Sequence, residues 1–328
     1  MAHNLFQERM AFVGEVPWHG LGKQVPATVP AETMCECAGL DWKVEKKPAP
    51  GARLIDPKKE IYDRYLILRE PVDPEKEAVA LGMVGRGYEP LQNRDAFTFF
   101  EPFIENGYAQ FHTAGALGNG ERVWVLVKLN EQIVIKGDDL IDRFLLLSNS
   151  HDGSGAVSIR FTPIRVVCQN TLNYAMKRSS GVISVRHTRH IAWHLANAQA
   201  EELKRIIEKT FKDAETLFGR MAMMEMKAED TESFLEFLFP RTEKQKRDKT
   251  EPERWARIRS ILDDPEVTPK STRTTLWALY NAIIRDEDYR TSREAGSDAR
   301  LERVWFGRGH DLKLKALNAC RARLPKAA

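Results

Sequence analysis

Residues 144–174 read FLLLSNSHDGSGAVSIRFTPIRVVCQNTLNY. The apolar run Phe144 to Leu147 predicts a buried strand. His151-Asp152-Gly153-Ser154-Gly155 follows as turn chemistry. Its glycines accept positive φ without a Cβ clash, and Asp152 and Ser154 bond the turn's own backbone. Ala156 to Phe161 alternates Val157, Ile159 and Phe161 with Ser158 and Arg160, the period-two pattern of a second strand. On that reading Ser158 and Arg160 share a face able to track phosphates while Phe161 packs inward. Pro163 ends the strand, and a helix-like segment carrying Val166, Val167, Leu172 and Met176 is expected from about Arg165.

Charge is segregated here. Between Gly153 and Ala200 there is no Asp or Glu, yet the span holds Arg160, Arg165, Lys177, Arg178, Arg186 and Arg189, with His187, His190 and His194. The whole chain is nearly balanced, with 50 basic and 47 acidic residues. An acid-free window in such a chain, interleaved with Ser, Thr, Asn and Gln, is the footprint of a polyanion-binding surface.

Working towards the N-terminus, Asp138, Asp139 and Asp142 form a carboxylate cluster, with Asp138-Asp139 also readable as a turn and N-cap before Leu140. A hairpin is predicted from Tyr108 to Leu117, Gly118-Asn119-Gly120 and Arg122 to Leu129, with a further strand at Ile133 to Ile135. Asn93 is the expected N-cap of a helix carrying Phe97, Phe99, Phe100 and Phe103. Strand signals dominate Asp41 to Leu91, and a short helix spans about residues 31 to 40. Pro17-Trp18-His19-Gly20-Leu21-Gly22 predicts a rigid anchoring loop.

Towards the C-terminus, Val182 to Arg186 reads as a strand. The period then becomes helical: Leu203, Ile207, Phe211, Ala214, Phe218 and Met221 recur at three- and four-residue steps. Phe234 to Phe239, Trp255 to Leu262, Thr274 to Ile284 and Leu312 to Leu317 continue the pattern, and Arg241 to Lys249 reads as a solvated connection. The fold class expected is α+β: an antiparallel β-sheet with packed helices in the N-terminal half, residues 1–187, and an all-helical C-terminal region, residues 188–328.

The chain has 328 residues, 42% of them hydrophobic, enough to bury a sizeable core. No apolar run approaches the ~20 residues of a membrane span, and MAHNLFQERM lacks the apolar stretch of a signal peptide. A cytoplasmic protein with no membrane association is expected. Four cysteines, Cys35, Cys37, Cys168 and Cys320, fit a reducing compartment.

Enzymatic constellations are weak. If the helix starts by His187, then His187, His190 and His194 share one face, but no acid adjoins them and nearby arginines repel a cation. Asp138, Asp139, Asp142 and Asp152 are the carboxylates available to a metal-dependent nuclease. Cys168 has no base at identifiable spacing. No metal, cofactor or catalytic residue is assigned.

Several motifs resemble one family. Pro17-Trp18-His19-Gly20-Leu21-Gly22, the run Pro163 to Leu172, Arg186-His187-Thr188, the block Thr275-Leu276-Trp277 through Asn281-Ala282, and Phe306-Gly307 resemble the phage/plasmid-like protein family, classed as domain of unknown function 932. The resemblance supplies no catalytic residues. It implies a mobile-element context, and the element order is similar in outline to single-strand annealing recombinases. With the cationic window, it leads to an expected function: sequence-tolerant binding or annealing of single-stranded DNA in recombination or replication, by a homo-oligomer. The contacts expected are Arg160, Arg165, Lys177, Arg178, Arg186, Arg189 and Asn170. A nuclease and a protein-binding inhibitor of host defence are the alternatives.

Overall fold

The computed structural model describes residues 5–14, 16, 20–71, 73, 75–137, 139–162, 164–165, 170–171, 182–188, 191, 200–265, 267–289 and 307–325. The N-terminal half contains β1 (Leu5–Phe12), β2 (Lys23–Gln24), α1 (Ala31–Cys37), β3 (Val44–Pro48), β4 (Leu54–Asp56), β5 (Ile61–Tyr62), β6 (Tyr65–Arg69) and β7 (Val79–Val84). It continues through α2 (Asn93–Thr98), α3 (Glu101–Glu105), β8 (Ala109–Leu117), β9 (Arg122–Ile135), β10 (Asp139–Ser150), β11 (Val157–Phe161), β12 (Ile164–Arg165), β13 (Asn170–Thr171) and β14 (Val182–Val185). Helices follow: α4 (Ala200–Met223), α5 (Ala228–Leu238), α6 (Glu243–Asp248), α7 (Glu253–Asp263), α8 (Leu276–Tyr289) and α9 (Arg308–Arg323). The architecture is α+β.

The main sheet runs β2-β1-β8-β9-β10, and β10 then carries both β11 and β12 on its outer edge. All pairs are antiparallel except β1 with β2. The central stretch corrects one expectation. Leu145 opposes Phe161 and Ile141 opposes Arg165, so β11 and β12 follow β10 on a single register. In the sequence Pro163, a residue type with no N–H to donate to a ladder, stands between the two pieces. Ile164 and Arg165 are therefore strand rather than the start of a helix. They pair in turn with Asn170 and Thr171. Val166, Val167, Leu172 and Met176 lie outside the described residues.

Smaller corrections follow the same logic. Ile133 to Ile135 is the end of the long β9, which pairs with β10 on both sides of an irregularity between Lys128 and Gln132. Gln92 occupies the N-cap position of α2, while Asn93 is buried and donates its side-chain amide to the Leu40 carbonyl at 3.0 Å. The charge run after Arg241 contains a helix, α6. The Thr242 hydroxyl accepts from the Gln245 N–H, and the Gln245 side chain accepts from the Thr242 N–H, which is a capping box.

Most of the core lies on one sheet face. Val123, Val125, Val127, Leu145, Leu147, Val157 and Ile159 pack there with Met34, Phe97 and Phe100 and with the stripe Ile207, Phe211, Ala214, Phe218 and Met221 of α4. Phe161 meets Phe211 edge-on at 5.3 Å, and Phe218 meets Trp277 at 4.8 Å. The helices thus close over the sheet. Among the described residues no helix is long and apolar enough to cross a membrane, and Cys35, Cys37 and Cys320 are free thiols.

A candidate anion site on the second sheet face

Alternate residues of β9, β10 and β11 point to the opposite face of the sheet. Trp124, Leu126, Phe144 and Leu146 form a second apolar cluster there with Met10 and Phe12. Further along the same face the side chains turn polar. Ser148 opposes Ser158, and their buried hydroxyls share a hydrogen bond of 2.9 Å. Arg160 opposes Leu146 and Arg122 opposes Ser150, so both arginines lie on this face, one on each side of β10.

Electrostatics ties the group together. Burial lowers the Arg160 guanidinium pKa, and the Arg122 charge lowers it further. His310, in the first turn of α9, is lowered to about 4 by burial, then by Arg160 and Lys313. Its imidazole is therefore neutral at pH 7, and its buried Nδ1 has no hydrogen-bond partner among the described residues. For Asp152, burial opposes ionisation. Hydrogen bonds from the Ser154 hydroxyl and N–H and the Ser150 hydroxyl, then the Arg122 charge, more than offset that and hold the carboxyl below its usual range. The Ser154 N–H and Ser150 hydroxyl lie 2.8 and 2.9 Å from Asp152 Oδ1. Two permanent cations, a neutral imidazole and one ionised carboxylate, Asp152, thus lie at one end of the sheet, with the Ser150 hydroxyl directed to that carboxylate and those of Ser148 and Ser158 to each other. The guanidinium groups are the donors suited to an anion.

The turn that carries Asp152 is fixed from behind. A Cβ on Gly82 of β7 would fall 2.4 Å from the Asp152 carbonyl oxygen. That close approach holds the small sheet β3-β6-β7 against the turn. His151 is fully buried, and its Nε2 lies 2.9 Å from Asn93 Oδ1 and 3.3 Å from Asn149 Nδ2.

The seven expected contact residues divide between several places. Arg160 joins the cluster just described. Ser158 beside it is covered, at 6% exposed, while Arg160 itself remains partly exposed. Arg165 and Asn170 are cross-strand partners in the short β12-β13 ladder. Arg186 is exposed immediately after β14. Lys177, Arg178 and Arg189 lie outside the described residues, as do Asp138, Cys168, His190, His194 and the Pro17-Trp18-His19 part of the N-terminal loop. Arg122 and His310 were not among the expected residues.

The carboxylates do not form the cluster their spacing suggests. Asp139 and Asp142 are three residues apart on β10 and point to opposite faces. Asp139 is fully buried and accepts from the Trp277 indole. Asp142 pairs with Lys128 at 2.8 Å and accepts from Gln132 at 2.7 Å. His187 is buried against Tyr88, with ring centroids 4.4 Å apart, and its Nδ1 lies 3.1 Å from the Glu89 carbonyl oxygen. Among the described residues no three His, Cys, Asp or Glu side chains gather as a metal-holding group.

No curated protein and no solved structure matches the chain. The family model described as Domain of unknown function (DUF932) matches residues 80–305. That stretch runs from β7 past α8 and takes in Arg122, Asp152 and Arg160, while His310 lies just beyond it. Covering more than half of the sequence, it establishes that the chain belongs to the DUF932 family.

Proposed function

We propose that this protein binds nucleic acid through the phosphate backbone without reading sequence, with single-stranded DNA as the favoured form. The observation that carries the reading is the placement of Arg122 and Arg160 on one sheet face, either side of β10, with His310 of α9 near enough to feel the Arg160 charge. Guanidinium groups are the donors that match phosphate oxygens, in bidentate geometry. The acid-free window that contains Arg160 supports the same sign of potential. Groups that neutralise phosphates without reaching base edges give affinity without sequence preference. A role in recombination or replication of a mobile element, exercised as a homo-oligomer, rests on the phage/plasmid resemblance.

An electrophoretic shift with 30-mer single- and double-stranded DNA tests this, run on the wild type, Arg160→Gln and Arg122→Gln, with Mg²⁺ and with EDTA. Binding at low salt that weakens in each variant supports the proposal. No shift at low salt overturns it, and EDTA-sensitive cleavage would put a nuclease in its place.

A further inference from the structure

The outer side of α9 forms a second feature, away from the sheet. Phe237, near the end of α5, is 54% exposed, although Phe234 and Leu238 beside it are buried. It lines a groove of about 480 Å³ with Asp311, Leu314, Lys315 and Asn318 of α9. The Lys315 ammonium lies 5.3 Å from the Phe237 ring centroid. The Arg323 guanidinium lies 5.9 Å from the same ring and 4.5 Å from that of Phe234. Two cations thus lie over a half-exposed aromatic ring, and the groove lining adds one carboxylate, Asp311.

We propose that this groove is a base-stacking subsite for single-stranded nucleic acid, with Phe237 as the platform and Lys315 and Arg323 facing the adjoining phosphate. The inference rests on the nucleic-acid reading above and adds a residue class to it. An exposed ring offers a face to any base, and adjacent cations neutralise the backbone that the base brings with it. The groove has the scale of a small-ligand site, which suits a flat heterocycle. It also belongs to the same helix as His310. At 1.5 Å and ~100° per residue, Lys315 stands about 7–8 Å further along α9 and about 140° around it, so the groove is a contact separate from the Arg122–Arg160 site.

The test measures binding of the full chain to a fluorescent 30-mer of deoxythymidine and to an abasic 30-mer of equal charge. Phe237→Ala is expected to lose roughly tenfold in affinity for the thymidine strand and almost nothing for the abasic one. Phe237→Trp is expected to retain binding and to show indole quenching on adding the thymidine strand. The subsite is overturned if Phe237→Ala binds both strands as the wild type does, or weakens equally on both, or if Phe237→Trp is not quenched. In those cases loss of binding in Arg122→Gln still upholds the phosphate site. A wild-type chain that binds neither strand removes both proposals, and Phe237-dependent self-association in sedimentation would then assign the groove to a protein contact.

Discussion

Trp277 donates its indole N–H to Asp139 Oδ2 at 2.7 Å, and both side chains are fully buried. The bond joins the first residue of β10 to the second residue of α8, across 138 positions of sequence. It assigns Asp139 a structural task, because a buried carboxylate costs several kcal/mol unless its oxygens find donors. Trp277→Phe keeps most of the packing volume and removes the donor. Urea unfolding is expected to show a loss of about 2–3 kcal/mol, with a smaller loss for Asp139→Asn. Equal stability of wild type and Trp277→Phe would refute the assignment.

A second buried charge is held in the helical half. Lys313 is fully buried, and its ammonium lies 2.5 Å from Asp288, itself 3% exposed. Removing one partner of such a pair takes the opposite charge away from a buried ion. Lys313→Met is expected to cost about 3–5 kcal/mol, and Lys313→Met with Asp288→Leu to recover most of that. Chemical denaturation of the two variants decides the point. A double variant less stable than the single one would argue that the pair contributes net attraction.

Gly82 tests how the small sheet holds the turn. Its missing Cβ would meet the backbone of Asp152 at 2.4–2.7 Å, and backbone cannot swing aside as a side-chain tip does. Gly82→Ala should lower the unfolding free energy by about 1–3 kcal/mol. It should also weaken DNA binding through displacement of Asp152 and its neighbour Arg122. Thermal melting and binding measured on one preparation check both parts, and an unchanged melting temperature contradicts the close approach.

Acid sensitivity follows from three histidines. Burial lowers His151 to about 3 and both His112 and His310 to about 4. Each stays neutral in the folded chain while the unfolded chain takes up a proton near pH 6.5. Their contribution is complete above pH 6.5 and diminishes as pH falls from there towards 4. The slope is about 1.4 kcal/mol per pH unit for each histidine. Unfolding free energies between pH 7.5 and 4.5 should therefore fall steeply, less so in His112→Gln. A flat profile would contradict the neutral assignment.

Much of the fold could be read from local pattern. The hairpin around Gly118 and Gly120 was legible because both glycines adopt positive φ, 64° and 107°, which turn chemistry announces. The α4 stripe was legible because Ile207, Phe211, Phe218 and Met221 repeat at helical spacing. Arg165 was misread because the signal for strand lies elsewhere: its partner Ile141 is supplied by a different segment, and a two-residue ladder leaves little period to detect. The Thr242–Gln245 capping box was present in the sequence but masked by the density of charge around it.

The site was less legible than the fold. Arg160 stood out through the absence of nearby acids, but its partners come from far away. Arg122 is brought in by the β9–β10 register, which follows once the hairpins are stacked. His310 arrives only through the packing of α9, for which the sequence carries no local signal. The covering of Ser158 was hidden for a similar reason, since it looks solvent-facing by alternation alone.

The salt dependence of single-stranded DNA binding bears most directly on the phosphate site. Affinity for a 30-mer should fall steeply with salt for the wild type. The slope of log K against log salt should diminish by about 1.4 in Arg122→Gln/Arg160→Gln, roughly 0.7 for each phosphate that is no longer neutralised. Binding that is absent at low salt, insensitive to salt, or of unchanged slope in the double variant would contradict the assignment of these two arginines to phosphate.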